Sequence, residues 1–165
     1  VCRKIREVSG VPVMLVSARS QDFDQIMGFE SGADDYVTKP FSLAILSKRI
    51  ETLLQRGETH KPTKPIKAEI YEFKGVVLDA ESYEVTLNGE LVELTVKEFE
   101  IMRLLIESPG RVYSRGKLVS RVWNEDFEGD VRVVDSHIAR IRTKLGDWGA
   151  AHLITVYGTG YKIDD

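Results

Sequence analysis

Two places in this sequence gather residue types that suit an anion. The first is Ser17 with Lys39, a hydroxyl and an ammonium that each follow a short apolar run, VPVMLV (11–16) and YVT (36–38). In parallel α/β sheets ligands bind beyond the carboxyl ends of the strands, so neighbouring strands here would bring both groups to one edge. Pro40 directly after Lys39 is a residue that can hold a cis bond and fix the direction of the lysine. On spacing alone, a turn-starting serine and a solvated lysine remain an open alternative. The second place is residues 131–145, where Arg132, Arg140, Arg142 and Lys144 stand against Asp135 alone. With Ile138, Ile141 and Leu145 turned inward, a helix there presents Arg132, Ser136, Ala139, Arg140 and Thr143 outward, with His137 and Lys144 on the flank. A helix enters the major groove of B-DNA, where side chains read base edges and cations neutralise phosphates. A solvated basic face is the plain alternative.

The elements that must position these residues follow from periodicity. VPVMLV is a continuous apolar run of strand length, DQIMGFESG reads as a helix with Ile26, Met27 and Phe29 inward, and Gly32 is its stop. YVT is a second strand. Residues 42–56 place Leu43, Leu46, Ile50, Leu53 and Leu54 at helical spacing. This alternation predicts parallel strands with crossover helices. ETHKPTKPIKA (58–68), with two prolines and three lysines, reads as a semi-extended linker. Beyond it IYEF, GVVLD, YEVTL and ELVEL predict an antiparallel sheet, with Asn88-Gly89 as a hairpin turn. TVKE (95–98) is a capping box opening a helix that Ser108-Pro109-Gly110 closes, Ser114 caps the next, and Val131 to Leu145 carries an apolar stripe at steps of 3 and 4. LITV and YKI, joined through YGTG, predict a terminal hairpin.

Composition bounds the classes. The 165 residues are 42% apolar and 30% charged, ordinary for a soluble globular protein. No apolar run approaches the ~20 residues needed to span a bilayer, and the first residues lack a signal-peptide core. This points to the cytoplasm and away from membrane partners. Cys2 is the single cysteine, so no internal disulfide is expected. VCRKIREVSG reads as the end of an amphipathic helix, an expectation that the chain starts within a domain. The net charge of −3 hides a segregation: residues 1–60 are neutral, 61–69 carry +2, and 70–165 carry −5. His60, His137 and His152 are too scattered for a metal site, and no Ser/His/Asp order appears.

VPVMLVSAR, GADDYVTKPF and RIETLLQR together resemble the second half of a two-component receiver domain of the OmpR/PhoB class, over residues 1–56. The resemblance implies that Ser17 and Lys39 contact a phosphoryl group, that Tyr36 changes rotamer with phosphorylation, and that the phospho-accepting aspartate and the magnesium-binding acidic cluster lie upstream. No cofactor is expected in this chain, and Mg2+ only with that upstream half. It further implies a homodimer through the last two helices and the intervening strand, with Asp34 or Asp35 pairing with Arg49. Gln25 and Ile45 stand where a basic and an acidic residue are common, which replaces an ion pair with a more apolar contact.

ELTVKEFEIMRLL, SRGKLVSRVW, VVDSHIARIRTKLG and ITVYGTGYKI resemble the winged helix-turn-helix effector domain of the same family, over roughly residues 70–163. The expected fold class is thus α/β, the C-terminal half of a doubly wound receiver (1–56), a linker (57–69), and an α+β winged helix-turn-helix domain (70–165). The resemblance puts Arg132, Ser136, His137, Arg140 and Arg142 on the DNA side, with Lys144 as a phosphate contact. Thr155, Tyr157 and Tyr161 serve the wing, Tyr157 standing where the family often has arginine. The EDFEGD loop (125–130) corresponds to one that touches RNA polymerase. The expected function is a non-enzymatic, DNA-binding transcriptional response regulator of a two-component phosphorelay, partnered by a sensor histidine kinase and controlled by phosphorylation and dimerisation. The other reading is a winged helix used for protein interaction, suggested by the −5 of residues 70–165.

Overall fold

A computed structural model describes residues 1–18, 27–58, 69–123, 127 and 129–164. Its first part holds a short helix α1 (Cys2–Arg6), strand β1 (Met14–Ser17), strand β2 (Asp35–Thr38) and helix α2 (Leu43–Glu58). The two strands pair in parallel, Met14 opposite Asp35 and Ser17 opposite Thr38. The expected strand at 11–16 begins later, and the reason is local. Pro12 has no N–H to give a ladder, and the Val13 N–H is taken at 2.8 Å by the Asp34 side chain. Residues 27–30 are helical, and Phe29 is fully buried while Met27 is not. Along α2 only part of the expected apolar side is covered: Leu53 is buried, whereas Leu43, Ile50 and Leu54 are exposed. Gln25 and most of the expected linker, residues 59–68, lie outside the described residues.

The second part opens with the meander β3 (Ile70–Phe73), β4 (Val76–Asp79), β5 (Glu84–Leu87) and β6 (Glu90–Leu91), paired antiparallel in sequence order. Two tight reversals set its register. Asn88 and Gly89 take φ 52° and 87° between the Leu87–Glu90 pair, and Lys74 and Gly75 take φ 48° and 87° between Phe73 and Val76. Left-handed φ at both central residues is the geometry that matches strand twist in a two-residue hairpin. Helix α3 (Val96–Ile106) starts on the expected capping box, with the Thr95 side chain accepting from Glu98 N and the Glu98 side chain accepting from Thr95 N.

Strand β7 (Tyr113–Ser114), helix α4 (Arg115–Val122), helix α5 (Val133–His152), and the hairpin β8 (Leu153–Val156) and β9 (Gly160–Ile163) complete the chain. Ser114 caps α4 through Lys117 N. The expected stop at Leu145 is visible as a break: Gly146 has φ 54° inside α5, and a further turn carries Trp148 and His152 beyond it. Strand β9 lies between β7 and β8. Phe99, Met102, Leu105, Leu118, Ile138, Ile141, Leu145, Leu153 and Ile163 fill the centre of this part. Phe29, Ala33 and Tyr36 of the first part join the same apolar cluster, so the two halves share one core.

Gly160 marks the tightest approach in that sheet, because a Cβ there would meet Tyr113 O at 2.0 Å. The Gly160→Ala substitution should push β9 from β7 and cost about 2 kcal/mol, as overpacked sites do. A urea unfolding midpoint unchanged by this variant would show that β9 is not held against β7 in solution.

Candidate nucleic-acid interface

The reading surface is built on α5. Asp130 starts that helix by accepting the Arg132 N–H at 2.8 Å, and the Arg132 side chain projects outward at 65% exposure. Ser136, Ala139, Arg140 and Thr143 continue the face one and two turns on, along an open groove of about 450 Å³ that also has Glu30 on its wall. On the opposite side of the helix Val134, Ile138, Ile141 and Leu145 follow one another at steps of 4, 3 and 4, and all are buried.

Arg140 and Lys144 are held from below by one carboxylate. Glu98 is fully buried, yet it accepts Arg140 Nε at 3.0 Å, Lys144 Nζ at 2.7 Å and Thr95 N at 2.9 Å. Burial alone pushes the Glu98 carboxyl up, but Lys144 and the Thr95 N–H outweigh it and hold the group below its ordinary value. The capping-box residue is therefore also the anchor of the reading helix. Its cap role is readable in TVKE, and Arg140 with Lys144 at i and i+4 is the sequence sign that two cations share a face.

Three expected DNA contacts are corrected by the structure. His137 is fully buried, not on the DNA side: Nδ1 lies 2.9 Å from Val133 O and the ring meets Trp123 edge-on at 5.0 Å. Its Nε2 is 3.9 Å from Asp34 Oδ1, too far for a hydrogen bond, and burial holds the imidazole below its ordinary value. Arg142 braces the wing from within, donating Nε to Leu153 O at 3.1 Å and Nη2 to Thr155 Oγ1 at 2.8 Å, so its guanidinium is not a free phosphate contact. Tyr161 is buried beneath the wing, where its hydroxyl donates to Asp135 Oδ1 at 2.7 Å and the Arg115 and Arg142 guanidiniums lie over its ring. Burial and the Asp135 carboxylate push that hydroxyl up to about 12. Tyr157, by contrast, is 92% exposed at the tip.

The first anion corner is less assembled. Lys39 N donates to Ser17 O at 2.7 Å, so the two residues share an edge, and the Lys39-Pro40 bond is cis. Ser17 is half-buried and the Lys39 side chain exposed. Tyr36 is buried with its ring 6.3 Å from Phe29. The expected interface acids are also corrected: Asp34 and Asp35 are buried and paired within the chain, Asp34 with Arg6 and Asp35 with Arg49 at 3.0 Å. Burial pushes both carboxyls up. For Asp34 the neighbouring His137, Arg6 and Val13 N–H reverse this, whereas Arg49 offsets it only in part for Asp35. Ile45 remains exposed at 48%.

Of the acidic loop, residues 125, 126 and 128 lie outside the described residues. Phe127 packs against Phe29 at 6.1 Å and Trp123 at 5.9 Å, with the Arg49 guanidinium 5.9 Å over its ring. Among the described residues no group of three His, Cys, Asp or Glu side chains is placed to hold a metal ion. No helix among them is long and apolar enough to cross a membrane.

Residues 89–163 match the family model described as transcriptional regulatory protein, C terminal. The uncharacterized transcriptional regulatory protein YclJ of Bacillus subtilis (strain 168) is 45% identical over 167 residues, covering 100% of this chain and 73% of that protein. Response regulator DrrB of Thermotoga maritima, an OmpR/PhoB homolog, is 38% identical with a TM-score of 0.53, covering 99% of this chain and 72% of that one. The DNA-binding domain of response regulator AdeR, solved in complex with an intercistronic region, is 31% identical with a TM-score of 0.51, covering 58% of this chain and 98% of that one.

Glu98 yields a pH prediction. Its carboxyl binds a proton less readily folded than unfolded, so its contribution is complete above the ordinary value of about 4.3 and is lost as pH falls below it. Glu98→Gln should cost about 2 kcal/mol at neutral pH, the scale of a hydrogen bond to a charged group, and flatten the acid limb of stability. Parallel urea titrations of variant and parent from neutral to acid pH check both effects.

Proposed function

The chain belongs to the OmpR/PhoB family of transcriptional response regulators, and from that membership we propose how it engages DNA and how it is controlled. Helix α5 enters the major groove with Arg132, Ser136, Ala139, Arg140 and Thr143 toward the bases and phosphates, and Lys144 on its flank. Tyr157 at the tip of the wing lies on the phosphate backbone. Arg142 and Thr155 keep the wing at a set distance from the helix. The observation that carries this reading is the open groove of α5, where Arg132, Arg140, Ser136 and Thr143 stand with the carboxylates of Asp135 and Glu30 along one face while the opposite face is core. Ala139 in the middle of that face offers only apolar contact, so base readout rests on few side chains and phosphate contacts supply most of the affinity.

Control comes through the first half. Ser17 and Lys39 grip a phosphoryl group delivered by a sensor histidine kinase, Tyr36 responds by changing rotamer, and two chains associate. The exposed Leu43, Ile45, Ile50 and Leu54 of α2 support an apolar dimer contact. Asp35 and Arg49, paired within one chain, join that contact only by exchanging partners. The acidic loop is offered to RNA polymerase. The protein acts by binding rather than turnover, in the cytoplasm. Two linked winged helices on two half-sites gain affinity through their effective concentration.

Fluorescence anisotropy against genomic duplex fragments at several salt concentrations tests the DNA face. Arg132→Glu should weaken binding at every sequence and lower the salt slope by about 1 for each phosphate contact removed. Affinity and slope both unchanged would sink this assignment.

A further inference from the structure

The joint between the two halves of the chain closes on a histidine. His137 has no exposure, and among the described residues its Nε2 is the one buried side-chain nitrogen or oxygen left without a hydrogen bond. Val133 O can only accept, so Nδ1 at 2.9 Å carries the ring hydrogen and Nε2 presents a lone pair. That lone pair faces Asp34 Oδ1 across 3.9 Å, acceptor against acceptor and beyond hydrogen-bond reach. Trp123, at the end of α4, closes the site with its ring edge-on to the imidazole at 5.0 Å and its Nε1–H donated to Asp34 O at 2.6 Å. Asp34 thus meets both rings, the imidazole through its carboxylate and the indole through its carbonyl.

The charges around the imidazole are matched without it. Asp34 pairs with Arg6 of α1. Glu98 of α3 is shared by Arg140 and Lys144 of α5, and Lys97 of α3 lies over the Trp123 ring with Nζ at 5.1 Å. Each carboxylate near the ring already has its cation, so an imidazolium here would be a further positive charge shut away from water, a costly arrangement. We propose that His137 is a proton-operated latch: neutral, it lets the Asp34 turn close on α5 and Trp123, and on taking a proton it parts them. An ordinary histidine gains its proton at about 6.5, so the latch works between neutral and mildly acidic pH. The sign follows from burial. The closed site binds that proton less readily than the open one, so the closed form loses stability as pH falls below the ordinary value. Asp34 and Glu98 are held below their own ordinary values and stay ionised throughout this range. The latch concerns the joint alone and does not rest on the DNA-binding reading.

One proton taken up on opening lets the ratio of open to closed chains rise by up to about tenfold for each pH unit below the ordinary value. With Trp148→Phe in the full chain, Trp123 is the only indole. Its quenching by acrylamide should rise as pH is lowered from about 7.5 to about 5.5, the range in which histidine titrates. Adding His137→Gln, whose amide takes up no proton in this range, should abolish the rise while His60, His152 and Asp35 titrate as before. A rise in the parent that the His137 variant lacks supports the latch. Unchanged protection of Trp123 over the range, or an equal rise in the variant, overturns it. Where the variant does not fold, NMR of the parent decides. The ring signal of His137, assigned by elimination with His60→Gln and His152→Gln, should titrate with the same midpoint as the exposure of Trp123, and a different midpoint overturns the latch.

Discussion

The carboxylate of Glu98 is the point on which the second half is organised. A buried charge with no partners is among the most costly arrangements a fold can hold. Here the cost is offset by a main-chain N–H of its own helix and by two cations from another helix. One group thus determines where α3 begins and how α5 lies across it. Lys144 is tied to Glu98 from the core side, and Arg140 is held between Glu98 and the Phe29 carbonyl, so the reading face inherits its geometry in part from a helix cap.

Much of the architecture was legible because it follows from local rules. Asn88-Gly89, TVKE and Ser114 each dictate a turn or cap within four residues, and each forms where the pattern puts it. The stop after Leu145 was legible too, although a further helical turn follows the left-handed Gly146. What could not be read was long-range. His137 shares helical spacing both with Arg140 and Lys144 and with the buried Val133, Val134 and Ile141, and only Trp123 and Asp34, which cover it from other elements, show which side it takes. Tyr161 and Arg142 belong to the same class. Both are polar residues near a wing, and only the folded hairpin shows that Asp135, Leu153 and Thr155 take their hydrogen bonds. The late start of β1 has the same origin, since a carboxylate 21 residues away occupies the N–H of Val13.

Charge segregation resolves the tension between an acidic domain and a polyanionic ligand. The −5 of residues 70–165 is a sum, and the nine acids of residues 72–107 lie mainly on the meander and α3. Two of the most buried, Glu98 and Glu100, are matched by Arg140, Lys144 and Arg103. An acidic remainder lowers non-specific attraction to DNA while leaving a short basic helix face for close contact.

The brace from Arg142 to β8 has a mechanical meaning. It welds the hairpin to the helix, so the distance from Arg132 to Tyr157 becomes a property of the protein, like the gap of a calliper. A duplex whose grooves do not already match that gap must bend or narrow to be held at both points, and stiff steps resist this more than pliant ones. Sequence preference can then arise at base pairs that no side chain touches, which suits a reading helix with an alanine at its centre.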